Sequence, residues 1–270
     1  MVKKAICYGL VVLLCCSCGE YYKVQKSNDP DVKFQYAKLC FEKGKYSRAY
    51  SLLEDIVTYY KGTDKAEETL YLLARSHFMA KNYDTAGEYF ATYYRSYPKG
   101  QYTEMAHYYS GLSFYREAPD PRLDQTDTYK GINELQAYLD YYPQGEKREE
   151  VQNMIFEMQE KLAQKELENA TLYYNIGNYL GRNYFESAVI TAQNALKTFP
   201  YTEKKEDFLM LILRARYKEA KESIHERKGE RYRNAVDEYY AYIDEYPDGK
   251  YRKEADGIFK DASKQIKDEE

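Results

Sequence analysis

The stretch Asn82-Tyr-Asp-Thr-Ala-Gly-Glu-Tyr-Phe-Ala-Thr-Tyr-Tyr-Arg-Ser-Tyr-Pro98 contains the spacing that decides the fold. Ala86, Phe90 and Tyr93 recur at the interval of one helical face, and Pro98 ends the run. A small residue stands twelve positions before a proline four times, and a weaker copy ends in lysine: Ala86/Pro98, Gly131/Pro143, Ala188/Pro200, Ala235/Pro247 and Ala49/Lys61. The chain is therefore built from one repeated unit.

The repeated interval predicts paired helices. Two helices approach closely only where a small residue stands at their crossing point, and proline cannot continue the second helix of the pair. Six positions of the second unit resemble the tetratricopeptide (TPR) pattern in spacing and type: Leu73, Ala74, Tyr83, Ala86, Phe90 and Pro98. We predict an all-α fold, a right-handed superhelical array of about five TPR-like helical hairpins plus a C-terminal capping helix over residues 253–266.

The pattern also divides the chain. Residues 31–148 form the predicted N-terminal half, and residues 149–266 form the C-terminal half, which starts with a long connecting helix over 149–174. The tail 267–270 is predicted to fray. Loops are predicted at residues 117–128, 178–183 and 225–229. The first of them carries three aspartates without the alternating ligands or central glycine of a calcium site, so we predict an ordered structural loop there.

Residues 1–17 resemble a bacterial lipoprotein signal peptide. A basic start precedes an apolar run that is too short to anchor the chain across a bilayer. Cys18 is the predicted lipidation site, because Ser17 supplies the small residue before the cleavage point. Cys16 is the second choice, and an ordinary export signal with incidental cysteines is the remaining alternative. Residues 18–30 would then form the acylated cysteine and a polar linker.

Composition excludes several classes of function. The chain has 34 tyrosines, no tryptophan and a formal net charge of −4, which argues against a general nucleic-acid binder. Cys40 lies in a helical pattern and is predicted to be a small buried hydrophobe. The three histidines are scattered, and no phosphate loop, nucleophile elbow or paired-carboxylate motif occurs. We predict no enzyme activity, no metal and no cofactor apart from the covalent lipid at Cys18.

Nearly the whole chain resembles the BamD family of outer-membrane protein assembly factors, in a form typical of Bacteroidetes. The most specific pieces are Ser17-Cys-Gly-Glu-Tyr21, Glu42-Lys-Gly-Lys-Tyr46, Leu123-Asp-Gln-Thr126 and Lys161-Leu-Ala-Gln-Lys-Glu-Leu-Glu-Asn-Ala-Thr-Leu-Tyr-Tyr174. The resemblance implies a lipid-anchored protein on the periplasmic side of the outer membrane. It also implies three kinds of partner: the POTRA domains of BamA, other BAM lipoproteins, and unfolded outer-membrane β-barrel substrates received by a groove in the N-terminal repeats.

Tyrosines are the candidates for such a groove, since the ring offers apolar surface and the hydroxyl can hydrogen-bond a peptide backbone. Adjacent pairs are favoured because two consecutive helical positions point in different directions. We select Tyr60, Tyr71 and Tyr94. For the BamA contact we select arginines of the last two hairpins, for which a solvated helix face is the alternative: Arg214, Arg231 and Arg233.

Two other non-enzymatic functions stay open. A glycan-binding lipoprotein of the SusD type also combines TPR helices with a lipid anchor, although such proteins are longer and use tryptophan, which this chain lacks. A TPR scaffold of the cell-envelope or peptidoglycan machinery is the other alternative. The three are distinguished by whether a barrel insertase, a TonB-linked transporter or cell-wall machinery co-purifies with the protein.

Overall fold

A computed structural model of the protein describes residues 19–269. Within this range the chain forms twelve α-helices and one short β-hairpin: α1 (residues 19–25), α2 (Pro30–Glu42), α3 (Tyr46–Ile56), α4 (Ala66–Met79), α5 (Tyr83–Ser96), α6 (Thr103–Glu117), α7 (Thr126–Tyr141), α8 (Arg148–Ile176), β1 (Asn178–Tyr179), β2 (Arg182–Asn183), α9 (Tyr184–Thr198), α10 (Lys205–Lys221), α11 (His225–Glu245) and α12 (Arg252–Glu269). From α2 to α7 and again from α9 to α12, each helix packs on the next one in the chain. The predicted all-α, TPR-like helical array is confirmed.

The described residues form two compact units. One comprises the chain up to Pro119 together with Thr126–Ile155, and its cores lie between α2, α3 and α4 and between α4, α5 and α6. The other comprises Asp120–Gln125 and the chain from Phe156 onward, with cores between α8, α9 and α10 and between α10, α11 and α12. Each unit therefore buries its apolar surface between successive helices, as expected for helical repeats.

The small residues of the repeat lie at helix contacts. Ala49, Ala86, Ala188 and Ala235 are fully buried, and Gly131 is buried as well. In each of four repeats the second helix ends two residues before the proline, at Ser96, Tyr141, Thr198 and Glu245. The spacing that suggested hairpins thus marks a close contact at one end and a helix stop at the other.

A buried tyrosine ties together three elements in most repeats. The Tyr93 hydroxyl of α5 donates to Glu67 Oε1 of α4 at 2.5 Å and accepts from the Tyr102 backbone N–H at 3.1 Å. Gly100 leaves room for this contact, because an added Cβ would lie 2.8 Å from the Tyr93 hydroxyl. We call this arrangement the tyrosine–glutamate bridge; its other copies are Tyr138–Glu104 beside Gly145 and Tyr242–Glu206 beside Gly249.

The structure differs from the sequence predictions at four places. Residues 19–25 of the predicted linker are helical, and α7 begins at Thr126 within the predicted loop. The predicted loop at 178–183 is a β-hairpin whose turn residues, Leu180 and Gly181, both have positive φ (53° and 72°), as a tight hairpin turn requires. The predicted basic loop at 225–229 is wrong, because α11 begins at His225 and buries Gly229 inside the helix.

Other predictions agree with the structure. The long helix is present as α8, and Cys40 is buried at 3% exposure. In α12, Ala255 and Ala262 are buried, as expected for a capping helix. The tail is one further difference from the prediction, because α12 continues to Glu269 and most of the segment predicted to fray is helical. Between residues 19 and 269, no helix combines the length and the apolar character needed to cross a membrane.

Candidate functional site

A small pocket opens between α2, α4 and the turn before α6. We call it the Tyr71 pocket; it has a volume of about 200 Å³ and is lined by Lys38, Phe41, Glu68, Tyr71, Leu72, Arg75 and Tyr102. Four of these residues stand at i, i+3, i+4 and i+7 on α4, so they form one stripe of that helix. The volume is below the roughly 300–1,000 Å³ of sites for drug-sized ligands, which suits one large side chain better than a free metabolite.

Stacked aromatic rings form a wall of the pocket. The rings of Tyr71 and Tyr102 are nearly parallel, at 7°, with centroids 4.2 Å apart. Tyr71 also meets Phe90 and Tyr93 of α5 at tilted angles. Burial raises the pKa of Tyr71, while a hydrogen bond from Arg75 acts in the opposite direction. The phenol is therefore neutral at physiological pH and can both donate and accept a hydrogen bond.

Two cations border the same pocket. Lys38 Nζ lies 2.6 Å from Glu68 Oε1, and this ion pair is partly open to solvent. The Arg75 guanidinium lies over the Tyr109 ring, 4.8 Å from its centroid. Among the described residues, Arg75 Nε is a buried donor without a hydrogen-bond acceptor, which is costly in a folded protein. The pocket thus combines apolar walls with donors that suit peptide carbonyl or carboxylate oxygens.

A second groove opens on the opposite side of α4. It has a volume of about 510 Å³ and is lined by Val57, Thr58, Lys61, Gly62, Ala66, Leu70, Tyr89, Thr92, Ser96 and Tyr97. Ala66 and Leu70 stand on the face of α4 away from Tyr71 and Arg75, because each residue advances a helix by about 100°. This groove has more room than the Tyr71 pocket but offers one cation, Lys61.

Of the three tyrosines predicted for a groove, only Tyr71 lines a pocket of this kind. Tyr60 is 4% exposed, and its hydroxyl donates to Asp31 Oδ1 at 2.5 Å. Its ring is therefore part of the core and is not an exposed groove surface. Its neighbour Tyr59 is 68% exposed, so the two rings of this pair do point in different directions. The sequence analysis found the pair of adjacent tyrosines but selected Tyr60, the buried one.

Tyr94 is half-buried and engaged within its own unit. Its hydroxyl donates to Glu134 Oε2 at 2.8 Å, and its ring stacks on His107 with centroids 3.7 Å apart. Burial, followed by the bond to Glu134, raises the pKa of Tyr94 to about 12. The structure therefore does not bring Tyr94 together with Tyr71 in one pocket, and a role of Tyr94 in peptide binding stays a prediction.

The three arginines predicted for partner contact occupy different environments. Arg214 makes a two-pronged ion pair with Glu254, at 2.7 and 2.6 Å, and lies over the Tyr251 ring. Arg231 donates to Ser223 Oγ at 2.5 Å and lies 3.5 Å from Glu219. Both side chains therefore join α10 to the helices that follow it. Arg233 on α11 is exposed, so it is the member best placed to reach a partner.

None of the histidines within residues 19–269 lines either pocket. Across residues 19–269, no three His, Cys, Asp or Glu side chains lie close enough to hold a metal ion. His77 and His107 are buried at 3% and 5% exposure, and burial lowers the pKa of each. The predicted lipidation site, Cys18, lies outside the described residues.

The sequence could have pointed to more of the Tyr71 pocket than we predicted. The stripe of Glu68, Leu72 and Arg75 around Tyr71 was readable from the helical interval. Tyr102 and Lys38 were not, because they lie on other elements and reach the pocket only through tertiary packing.

Comparison with protein families gives a match over most of the chain. The family model YfiO, described as outer membrane lipoprotein, matches residues 26–219. This range includes both pockets and extends from the residue after α1 into α10. No curated protein matches the chain.

Proposed function

The chain belongs to the YfiO family of outer membrane lipoproteins, and from this premise we propose that it is a non-catalytic subunit of the BAM complex, of the Bacteroidetes type. In this function it is anchored by an acyl group at Cys18 on the periplasmic side of the outer membrane. It binds the POTRA domains of BamA, works beside other BAM lipoproteins, and receives unfolded β-barrel substrates for insertion. The family match over most of the chain is the observation that carries the proposal.

The Tyr71 pocket is the proposed peptide site. An extended chain presents alternate side chains to one side, and one apolar side chain fits the space between the Tyr71–Tyr102 stack and Leu72. Its backbone oxygens would then lie near the Lys38 and Arg75 donors. Recognition by shape and backbone bonding suits a subunit that must accept many barrel sequences.

The BamA contact is assigned to the last two hairpins. Arg233 is the exposed arginine of the predicted three, and rim charges of this kind steer association more than they add affinity. Arg214 and Arg231 support the same surface, because Arg214 of α10 pairs with Glu254 of α12 and Arg231 of α11 pairs with Glu219 of α10.

Depletion is the test of the function as a whole. Loss of the protein should reduce the folded, heat-modifiable barrels of the outer membrane, and BamA should co-purify with the intact protein. Normal barrel levels after depletion would reject the assignment. Co-purification of a TonB-linked transporter or of cell-wall machinery instead would favour one of the two alternative functions.

Site-specific crosslinking tests the peptide site separately. A photoreactive amino acid at Leu72, inside the Tyr71 pocket, should crosslink to barrel precursors. The matched control is the same probe at Tyr129, which is 56% exposed on α7 and lines neither pocket. Equal yields at the two positions would remove the Tyr71 pocket from the proposal while leaving the assembly function standing.

A further inference from the structure

The first described helix fixes the start of the chain to the first hairpin. In α1, the Tyr21 ring lies 6.5 Å from the Tyr36 ring of α2, and the Arg48 guanidinium of α3 lies over Tyr21 at 5.0 Å. Tyr21 and Val24 both pack against the core of this hairpin. Because residues 19–25 are helical and pack on this hairpin, the chain next to the proposed anchor is part of the folded unit instead of a free linker.

The outer face of α2 is apolar and open. A pocket of about 460 Å³ lies on it, lined by Asp31, Val32, Gln35, Tyr36 and Leu39. Val32 is 44% exposed and Leu39 is 38% exposed. Within the described residues, no preceding hairpin packs on this face, whereas α4 packs on α3 and α6 packs on α5. Large apolar side chains open to water on a terminal repeat indicate that something covers them.

The charges around this face favour an anionic, partly apolar surface. Asp31, the acid that lines the pocket, is paired with Lys65 and accepts from Tyr60, so its charge is balanced within the fold. Residues 19–48 contain seven basic and four acidic residues, of which Lys33, Lys38 and Asp31 pair with side chains outside this segment. The remaining five basic and three acidic residues still leave an excess of positive charge, whereas the whole chain has 40 basic and 44 acidic residues. Tyr22 is 60% exposed, with Lys26 Nζ 4.8 Å from its ring centroid. Tyrosine and lysine together are typical of residues at a membrane surface.

The short distance from the proposed lipid anchor at Cys18 indicates which surface covers the outer face of α2. Cys18 directly precedes α1, and seven helical residues rise only about 10 Å along the helix axis. An acyl chain on Cys18 would therefore hold the bilayer within roughly 10–15 Å of the end of α1. We propose that the outer face of α2, formed by Val32, Tyr36 and Leu39, rests on the outer-membrane bilayer, with lipid filling the pocket on α2. The proposal rests on the anchor of the proposed function and adds a second membrane contact to it.

The absence of tryptophan makes this contact directly measurable. The mature, acylated full chain carrying Leu39→Trp is reconstituted in vesicles of phosphatidylethanolamine and phosphatidylglycerol. The control carries Tyr129→Trp, at an exposed position of α7. We expect emission of the Leu39→Trp protein to shift to shorter wavelength and to be quenched about two-fold or more by lipids brominated on their acyl chains. The Tyr129→Trp protein should show neither change, and Val32→Glu added to the reporter should reduce the quenching.

Three results would overturn the proposal. If the Leu39→Trp protein floats with vesicles but its emission matches the Tyr129→Trp control, the α2 face is free of lipid while the anchor stands. If the emission shifts without quenching by brominated bilayer lipids, the protein's own acyl chains occupy the pocket and the bilayer does not. If the protein does not float and incorporates no palmitate, the anchor itself is rejected together with the contact that depends on it.

Discussion

The α6–α7 hairpin and the α8–α9 hairpin solve the same packing problem in different ways. In the first, Tyr138 is fully buried, donates to Glu104 Oε1 at 3.0 Å and accepts from the Lys147 backbone N–H at 3.2 Å. In the second, Ala195 stands in the position of the tyrosine, and Glu160 accepts directly from the Glu203 backbone N–H at 3.2 Å. In both hairpins a glutamate carboxylate fixes the turn that follows the second helix. In α8–α9 it accepts directly from a backbone N–H of that turn, whereas in α6–α7 the Tyr138 hydroxyl lies between the carboxylate and the backbone N–H.

The two hairpins also differ at the second residue after the proline. Gly145 follows Pro143 in the first, and a Cβ there would lie 2.4 Å from the Tyr138 hydroxyl. Thr202 follows Pro200 in the second, where no hydroxyl needs the space. Tyrosine and glycine are therefore required together. Three of the 34 tyrosines, Tyr93, Tyr138 and Tyr242, are structural for this reason, so tyrosine alone is a poor marker of a binding groove in this chain.

Truncating the bridge tyrosine should have the largest effect. Tyr138→Ala removes a fully buried ring and leaves Glu104 without its donor, so we expect a loss of about 3–5 kcal/mol in the free energy of unfolding. The control is Tyr129→Ala on the same helix, where a 56% exposed ring should cost about 0.5 kcal/mol or less. Chemical unfolding measures the free energy of unfolding of both variants, and amide hydrogen exchange shows whether the loss lies in α6 and α7. A loss below about 1 kcal/mol for Tyr138→Ala would contradict the bridge as a source of stability.

Adding one methyl group at the turn should cost less. Gly145→Ala places a Cβ 2.4 Å from the Tyr138 hydroxyl and 2.9 Å from Glu104 Oε1, and we expect a loss of about 1–3 kcal/mol from overpacking. The control, Gly257→Ala in α12, meets no heavy atom within 4 Å and should stabilise the protein by about 0.5–1 kcal/mol. Thermal unfolding compares the two variants. If Gly145→Ala and Gly257→Ala changed the stability of the protein equally, the bridge would be relaxing around the added methyl group.

The two hairpins should also differ in how much stability they lose in acid. Burial lowers the pKa of His107 in α6 from its ordinary 6.5 to about 4, whereas α8 and α9 contain no histidine. The folded state holds this imidazole neutral, so the unfolded state binds more protons as pH falls below 6.5. Stability is present above that value and is lost as pH falls towards 4. Between pH 7 and pH 5 the loss should be about 2 kcal/mol.

His107→Phe is the matched variant for the pH prediction. It keeps an aromatic ring against Tyr94 and cannot titrate, so the variant should lose less stability than the parent protein over the same pH range. His77 is present in both proteins, and its lowered pKa contributes equally to each. Urea unfolding at the two pH values gives the difference. Identical pH dependence in the two proteins would show that His107 is not held neutral by the fold.

The sequence predicted the hairpins because their determinants are local. A buried small residue and a helix stop twelve positions later belong to one element, so the interval between Ala86 and Pro98 could be read without knowing any neighbour. The bridge could not be read in this way, since Glu104 and Tyr138 are 34 residues apart and their pairing depends on how α6 meets α7.

The candidate site was only partly predictable for the same reason. Tyr59 and Tyr60 differ in sequence by one position, and the packing of Tyr60 against Phe34 and Asp31 of α2 decides which ring is buried. Arg214 looks like a free surface charge in the sequence, but Glu254 lies 40 residues later and pairs with it. Helical periodicity predicts on which face of its helix a residue lies, but it does not predict which of these faces another element covers.

A transplant of the bridge into α8–α9 should give the smallest and most specific effect. Ala195→Tyr alone should destabilise the protein, because Ala195 is 3% exposed and the Thr202 side chain occupies the place that glycine leaves free in the bridged hairpins. Thr202→Gly alone should also destabilise it, because the Thr202 hydroxyl accepts from the Lys204 backbone N–H at 3.2 Å. In the double variant the new phenol can reach Glu160, so the combined loss should be smaller than the sum by about 1 kcal/mol. Unfolding free energies of the four proteins give this coupling. Simple additivity would mean that tyrosine, glutamate and glycine are insufficient to make a bridge, and that the packing of α6 on α7 supplies something that α8 and α9 do not.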